Sequence, residues 1–441
     1  MDFVYLLVAI AIAPKIFYRM LRQNRYRTGW SQRFGKITRK RPEKKCIWIH
    51  AVSVGELNAT KTVVKELEDR FSDFEIVIST TTDTGFARAS ALYGDNLEVF
   101  YFPLDFSGIM RRAFRGIRPT ICLLMELEVW PNFVRIADDL NIPVVVVNGR
   151  LSDESFSRYK KIKPISRTIF RRLSLVLAQT EEYASRFKQL GCPEQSVVVT
   201  GSLKYDTAQI IDKVEGADEL ARQLGIGNER LWVAGATGPG EEQILLEVFK
   251  KLKEKGDFAD LRLAIVPRKP ERFDEVAQLI KQSGFNFVRY SEVKRGATEN
   301  TEKSIINHQY RRFAEAKSII DVVLGDTMGD LRKFYSLGTI IFVGRSLVQM
   351  GGSDMAEAAA LGKCTIFGPH TFNFRHTVDV LLASKGALMV RDERELFDTM
   401  QKCLNDPAFA KQIARNGREV IRKNQGSTQK TIEHITKLLK D

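Results

Sequence analysis

The residues best placed to do chemistry gather where short apolar runs end. Ile47-Trp48-Ile49 leads into His50-Ala51-Val52-Ser53-Val54-Gly55-Glu56, and a helix is predicted from about Leu57 to Arg70. A helix start after a strand offers free N–H groups and a positive dipole end, which suit an anion. This one carries Glu56 instead. A carboxylate there can cap the helix and complement its dipole. It can also stand in the crevice at the strand end, where open α/β sheets bind ligands, as a group that accepts a proton. Ser53 and Gly55 share the turn. The helix N-terminus is expected to lower the pKa of Glu56 and keep it ionised.

Other strand ends repeat the pattern. In the first half these are Glu126-Leu127-Glu128-Val129-Trp130-Pro131-Asn132, Asn148-Gly149-Arg150-Leu151-Ser152 and Gly201-Ser202-Leu203-Lys204-Tyr205-Asp206. Pro131 fits a first helical turn, and the hydroxyl-rich Ser79–Gly85 turn suits a helix cap. In the second half, Pro267-Arg268-Lys269-Pro270-Glu271-Arg272-Phe273 offers cations on a backbone held by two prolines. Arginine binds phosphate with two parallel hydrogen bonds and lysine as a point charge. Gly325-Asp326-Thr327-Met328-Gly329 is a glycine-bounded turn. Gly351-Gly352-Ser353-Asp354 leads into a helix carrying Glu357. Such a loop can cradle phosphate, and a glutamate one turn in can hold a ribose diol. Gly235–Glu242 lacks the Gly-Lys-Ser/Thr ending of a P-loop, and no turn has dinucleotide GxGxxG spacing. No metal site is expected: the five cysteines are scattered without a CxxC pair, as in a reducing compartment.

The elements that must carry these turns alternate. Strands are predicted at Cys46–Val52, Glu75–Thr80, Leu97–Phe102, Thr120–Met125, Pro143–Asn148, Leu175–Gln179 and Val197–Thr200, with helical patterns between them, one spanning about Ile162–Leu173. A second series runs Leu231–Ala234, Leu261–Val266, Asp321–Leu324, Thr339–Val343 and Lys363–Phe367, ending in a charged helical stretch, Glu393–Lys440. Apolar strands without alternation, separated by amphipathic helices, indicate parallel sheets covered on both faces. The fold class is α/β. The chain of 441 residues exceeds one core, and the expected plan is GT-B: two Rossmann-like domains facing a central cleft. The expected boundaries are an anchor and basic segment over 1–45, a first Rossmann-like domain over 46–206, a second over 207–425 and a C-terminal helix over 426–441.

Charge is concentrated at the start. The net charge is +14, and Lys15–Lys45 holds twelve Lys or Arg against one acid, Glu43. Ahead of it, Phe3–Ala13 is an uninterrupted apolar run, short of the ~20 residues a full span needs. Cations that follow the apolar core rather than precede it point to a retained anchor with its basic side in the cytoplasm. The expected partner is the anionic surface of the inner (cytoplasmic) membrane. No RNA-binding motif is present, and no nucleic acid partner is expected.

With these motifs in place, the chain resembles the lipid A Kdo transferases, the 3-deoxy-D-manno-octulosonic acid transferases of lipopolysaccharide assembly. The resemblance is carried by Trp30…Arg33-Phe34-Gly35, His50…Ser53-Val54-Gly55-Glu56, Glu126…Glu128…Trp130-Pro131-Asn132, Asn148–Ser152 and Gly201…Lys204-Tyr205-Asp206. In the second half Pro267–Phe273, Gly325–Gly329 and Phe367–Phe374 carry it. It implies transfer of Kdo from CMP-Kdo to the lipid A precursor (lipid IVA) with inversion, no cofactor, and Glu56 as general base. It places CMP-Kdo against Pro267, Arg268, Arg272, Gly325, Thr327, Met328, Gly329, Gly352, Asp354 and Glu357. Ser53, Gly55, Glu126, Glu128, Arg150 and Lys204 fall on the acceptor side. The chain departs from the family pattern at Gly238, where His is usual, at Arg345, where Gly is usual, and at Ser353-Asp354-Met355-Ala356-Glu357-Ala358, where His-Asn-Pro-Leu-Glu-Pro is usual. The alternative is a membrane-associated GT-B enzyme that uses a UDP-sugar and another lipid acceptor.

Overall fold

Strand β1 (Lys45–His50) is buried from Cys46 onward and alternates its side chains between two cores. Trp48 packs among Phe100, Phe102, Phe114 and Phe133 on one face, while Ile47 and Ile49 meet Leu57, Val64 and Leu67 on the other. A strand covered on both faces gains nothing from polar alternation, which is why the sequence shows none. The computed structural model describes residues 2, 3, 5–7, 22, 28–298 and 320–440. Contacts divide the chain into one unit of Met1–Thr207 with Asn424–Asp441 and another of Ala208–Lys423.

In the first unit β2 (Phe74–Thr80), β3 (Glu98–Tyr101), β4 (Ile121–Met125), β5 (Val144–Gly149), β6 (Leu175–Ala178) and β7 (Val197–Val199) join β1 in the order β3-β2-β1-β4-β5-β6-β7. Every pairing is parallel. The order reverses between β1 and β4, so the crevice for a ligand opens at their carboxyl ends. The second unit repeats the plan with β8 (Leu231–Thr237), β9 (Arg262–Pro267), β10 (Phe287–Arg289), β11 (Val322–Leu324), β12 (Ile340–Val343), β13 (Cys364–Phe367) and β14 (Leu388–Met389). Its order is β10-β11-β9-β8-β12-β13-β14, again all parallel, with the reversal between β8 and β12.

The sequence reading omits the short edge strands β10 and β14 and the helix Asp153–Lys161. None of that helix's residues is fully buried, and only Phe156 and Tyr159 pack against the core, too short an apolar stripe to betray it. Among the described residues no helix is long and apolar enough to cross a membrane. Most of the Phe3–Ala13 run, and the basic block as far as Arg27 except Arg22, lie outside the described residues.

The chain ends where it began. Helix Ser427–Lys440 packs on helix Val54–Arg70, and its Ile432 and Ile435 are fully buried in the core that holds Ile47 and Ile49. Asp206 accepts from the N–H groups of Gly426 (2.8 Å) and Thr428, fixing the return point. Ile432→Ala should therefore destabilise the first unit by about 2–5 kcal/mol, the usual range for such a cavity. Urea unfolding followed by a probe in that unit checks this.

Candidate active site

Glu56 closes its own turn. Its Oε2 accepts from Val52 N–H (2.9 Å) and its Oε1 from Ser53 N–H (3.3 Å), while Ser53 Oγ accepts from Glu56 N–H (3.2 Å). This is a reciprocal capping box. The Val52 carbonyl in turn accepts from Thr80 Oγ1 (3.2 Å) and Thr82 Oγ1 (3.1 Å), so the turn after β1 is tied to the turn after β2. Gly85 permits the approach, since a Cβ there would lie 2.7 Å from that carbonyl oxygen. The Ser79–Gly85 turn is a cap as well: Thr82 Oγ1 accepts from Gly85 N–H at 3.0 Å.

The electrostatic outcome at Glu56 corrects the sequence reading. Its carboxyl is raised, not lowered, chiefly by burial, with the charge of Glu126 adding to it; the hydrogen bonds from Val52, Ser53 Oγ and Ser53 N–H pull the other way and lose. The helix-end argument omits desolvation, which penalises the charged form. Glu128, from the turn after β4, is pushed further, to about 7, by burial first and then by the charges of Glu56 and Glu126. Trp130 Nε1 donates to Glu128 Oε2 at 3.2 Å. Glu126 sits at φ 52°, a conformation uncommon outside glycine, and its N–H donates to Val147 O (3.0 Å). The three acids thus share one field at the carboxyl ends of β1 and β4.

His50, not singled out as a site residue in the sequence, completes this floor. It is fully buried and stacked on Phe102 at 3.8 Å, and Nδ1 lies 3.1 Å from the Ser79 carbonyl. Ser79 Oγ lies 3.1 Å from the same nitrogen, so the carbonyl and the hydroxyl of Ser79 together anchor Nδ1. Among the described residues Nε2 has no hydrogen-bond partner, and it lies 4.0 Å from Glu128 Oε2. Burial depresses the imidazole to about 3, so the contact is not an ion pair at neutral pH. The sequence signal was there: a histidine closing an otherwise apolar strand.

Two cations border the acids. Asn148, at φ 56°, accepts from Leu203 N–H (3.1 Å), which brings the short helix Leu203–Thr207 to the end of β5. That helix also packs on helix Val54–Arg70. Lys204 and Arg150, either side of this bond, have no carboxylate partner among the described residues. Gly55 is exposed, and an added Cβ would meet only Ser53 Oγ, at 3.8 Å.

In the second unit the turn after β8 is built the same way but used up internally. Glu241 is fully buried: Oε2 accepts from Gly238 N–H (2.9 Å) and Arg345 N–H (2.5 Å), and Oε1 from Ser346 N–H (2.8 Å) and Leu347 N–H (2.9 Å). Its neighbour Glu242, also fully buried, accepts from Thr237 Oγ1 (2.8 Å) and from Arg272 Nη1 (2.6 Å) and Nη2 (3.1 Å). Arg272 further donates to Glu275 through Nε (3.1 Å) and Nη2 (2.7 Å). Expected to meet a donor phosphate, Arg272 is instead a strut whose fork is spent inside the unit. Arg268 is exposed, and its charge reaches the buried Tyr335 hydroxyl, which Glu357 and Asp354 also influence. Gly235 makes room for Tyr335, whose ring a Cβ would overlap at 2.2 Å.

The Gly325–Gly329 turn is hung from two buried aspartates. Asp326 accepts from Arg289 Nε (2.7 Å) and from Ser291 N–H (2.7 Å) and Oγ (2.6 Å). Asp330 accepts from Thr327 Oγ1 (2.7 Å), Lys333 (2.8 Å) and Lys294 (3.1 Å). Between them Met328 is 64% exposed and Gly329 has open space beside it. Gly352 adopts φ +79°, and Asp354 caps the next helix by accepting from Ala356 N–H (3.0 Å). Pro267 ends β9, with Arg268 N–H donating to Thr237 O at 3.1 Å. Thr237, Pro267, Arg268, Gly325 and Gly352 therefore lie on one carboxyl edge.

Two departures from the expected pattern prove to be one. A Cβ on Gly238 would come within 2.7 Å of Met350 Sδ and 3.2 Å of Arg345 Cγ. Arg345 sits at φ 61° and donates from Nη2 to Met350 O at 3.3 Å. Met350 and the arginine that bonds to it thus share the space that a side chain at 238 would need.

Residues 28–207 match the sequence pattern of the family described as 3-deoxy-D-manno-octulosonic-acid transferase (kdotransferase). The 3-deoxy-D-manno-octulosonic acid transferase of Haemophilus influenzae is 34% identical over 411 residues, covering 93% of this chain and 91% of that protein. That of Bordetella pertussis is 31% identical over 455 residues, covering 98% of each. Among solved structures, UDP-GlcNAc 2-epimerase from Neisseria meningitidis bound to UDP-GlcNAc superposes with a TM-score of 0.55 at 14% identity, over 89% of this chain and 100% of that one. The S. aureus MnaA–UDP structure superposes at 0.54 with 14% identity, over 90% of this chain and 97% of that one. These two share the fold, a GT-B-like pair of Rossmann units.

Two outcomes follow from the geometry. Glu128 favours its neutral form in the fold, so its contribution to stability is full below its ordinary 4.5 and is lost as pH rises through about 7. Glu128→Gln should raise the melting temperature at pH 8 and leave it little changed at pH 4, as read by thermal melts across that range. Gly238→His should lower the melting temperature while Arg345 is present and much less beside Arg345→Gly. A double-mutant cycle should show a coupling of about 0.5–3 kcal/mol.

Proposed function

The chain belongs to the 3-deoxy-D-manno-octulosonic acid (Kdo) transferase family and is a glycosyltransferase that transfers Kdo in lipopolysaccharide biosynthesis; from that premise we propose the following division of labour. The first unit holds the acceptor, a lipid A precursor, and supplies the base. The second holds the donor, CMP-Kdo. Glu56 takes the proton of the acceptor hydroxyl as its oxygen bonds to the anomeric carbon of Kdo. The bond from that carbon to the CMP phosphate oxygen breaks with inversion, and its electron pair leaves with CMP.

What carries this reading is the placement of Glu56 at the reversal of the first sheet, in the field of Glu126 and with its proton affinity raised by burial. A base is more effective when its pKa approaches the working pH. Two of its lone-pair directions are held by Val52 and Ser53 N–H, which orient the carboxylate without exhausting it. Arg150 and Lys204 supply positive charge for the acceptor's phosphates. On the donor side Arg268 takes the leaving phosphate, and the exposed Thr327–Gly329 turn and the Gly352–Glu357 loop line the nucleotide. The apolar run before the basic block supports work at the cytoplasmic face of the inner membrane.

Glu56→Gln tests the assignment, because the glutamine carbonyl keeps one of the two backbone bonds of the turn and the NH2 group forfeits the other. Transfer from CMP-Kdo to lipid IVA should fall by about 10²–10⁴, while stability falls by only about 1–3 kcal/mol for the N–H left without an acceptor. A folded variant transferring at the parent rate would remove Glu56 as base. The parent's rate should rise with pH as Glu56 ionises, and Glu126→Gln, which removes a like charge, should move that rise to lower pH.

A further inference from the structure

The internal packing of the second unit does not account for Arg345. It stands two residues past β12 at φ 61°, a left-handed conformation that costs an L side chain free energy. Its backbone is pinned there: the N–H donates to Glu241 Oε2 (2.5 Å), and the carbonyl accepts from Gly352 N–H (2.7 Å). The side chain is half-buried. Nη2 donates to Met350 O at 3.3 Å; among the described residues Nε is buried without a partner, and Nη1 bonds to nothing. No carboxylate among the described residues lies within ion-pair distance, and Asp354, the next acid along the chain, caps its own helix instead. Arg272 shows what a structural arginine looks like in this unit, with its fork engaged by Glu242 and Glu275. Backbone strain and an unsatisfied buried donor, met in one residue, belong to a site that a ligand completes.

Its place in the sheet says which ligand. Gly344 packs on the end of β8, where an added Cβ would lie 2.6 Å from Thr237 Cα, and Thr237 O accepts from Arg268 N–H on the other side at 3.1 Å. Arg268 and Arg345 therefore leave β9 and β12 on either side of β8, whose end marks the reversal of this sheet. Two strand spacings set their backbones about 10 Å apart, across the crevice where such sheets bind ligands. Arg268 is exposed and, like Arg345, has no carboxylate partner among the described residues. The donor assigned to this unit brings two anions on one carbon. A ulosonic acid carries its carboxylate on the anomeric carbon, and the nucleotide phosphate leaves from that same carbon. With Arg268 taking the phosphate, the carboxylate needs a cation of its own.

We propose that Arg345 binds the carboxylate of the donor sugar acid. The inference deepens the reading above and rests on its placing CMP-Kdo in the second unit. Nη1 and the second N–H of Nη2 are left to donate to a carboxylate, for which the guanidinium plane is the matching partner. Gly238 serves the same end, since a side chain there would come within 3.2 Å of Arg345 Cγ and displace the stem. The two departures from the family pattern thus install one cation, delivered from the β12 side of the crevice.

The test compares two ligands that differ in that carboxylate. Arg345→Gly in the full chain is assayed for transfer from CMP-Kdo to detergent-dispersed lipid IVA and for inhibition by CMP, which has the phosphate but no sugar acid. KM for CMP-Kdo should rise about 10- to 100-fold, as for a lost hydrogen bond to a charged group, while the inhibition constant for CMP stays where it was. The melting temperature should hold or rise, because glycine adopts this backbone conformation without strain. Arg345→Lys, which keeps the charge but not the fork, should recover part of the loss. An unchanged KM for CMP-Kdo, or a loss shared equally by CMP, would overturn the proposal, as would a lysine variant as impaired as the glycine one. Failure of the functional reading would show separately, in the parent protein, as no turnover of CMP-Kdo and no inhibition by CMP to measure.

Discussion

Each unit depends on a carboxylate that folds back on the turn after its first strand. A carboxylate has about four lone-pair directions. Glu241 spends all four on backbone N–H groups from two turns, and so becomes the pin that holds the β8 and β12 ends together. Glu56 spends two on backbone N–H groups, both within its own turn. The same local construction therefore yields a strut in one unit and a group with capacity to bind a proton in the other. What separates them is the number of N–H groups that neighbouring loops bring within reach.

The second unit goes further in this direction. Glu242, Asp326 and Asp330 are buried with Arg272, Arg289, Lys294 and Lys333 as partners. Buried ion pairs recover their desolvation cost only with good geometry and further hydrogen bonds, and each of these acids accepts from a hydroxyl as well. The outcome is positional. The loops that carry Arg268, Met328 and Gly329 hang from charged pairs inside the unit, and the groups left outward are those free to meet a ligand. At the β1 and β4 ends of the first unit it is the reverse: Glu56, Glu126 and Glu128 crowd one another rather than pair, and burial raises the proton affinity of Glu56 and Glu128.

Much of this was legible in the amino-acid order. The central strands announce themselves as apolar runs, because parallel strands are buried on both faces, and the turns at their ends stand out by glycine, proline and charge. Helix Asp153–Lys161 did not, since nothing in it is fully buried. Strand β10 did not either, as three half-buried residues carry too little pattern. Arg272 shows the harder limit. Its type and loop suggested phosphate binding, but the glutamate that engages it lies thirty residues earlier, at the start of another helix.

The sequence by itself determined the alternation of strand and helix, the placement of Glu56 at a helix start and the motifs that mark the family. Those are local patterns, or collinear ones, and need no knowledge of what packs on what. Only the tertiary structure decided the direction of the Glu56 shift, the neutrality of His50, the inward use of Arg272 and the return of the last helix to the first core. Each depends on burial or on a partner distant in the chain. Desolvation is a property of the assembled fold, and no residue carries it alone.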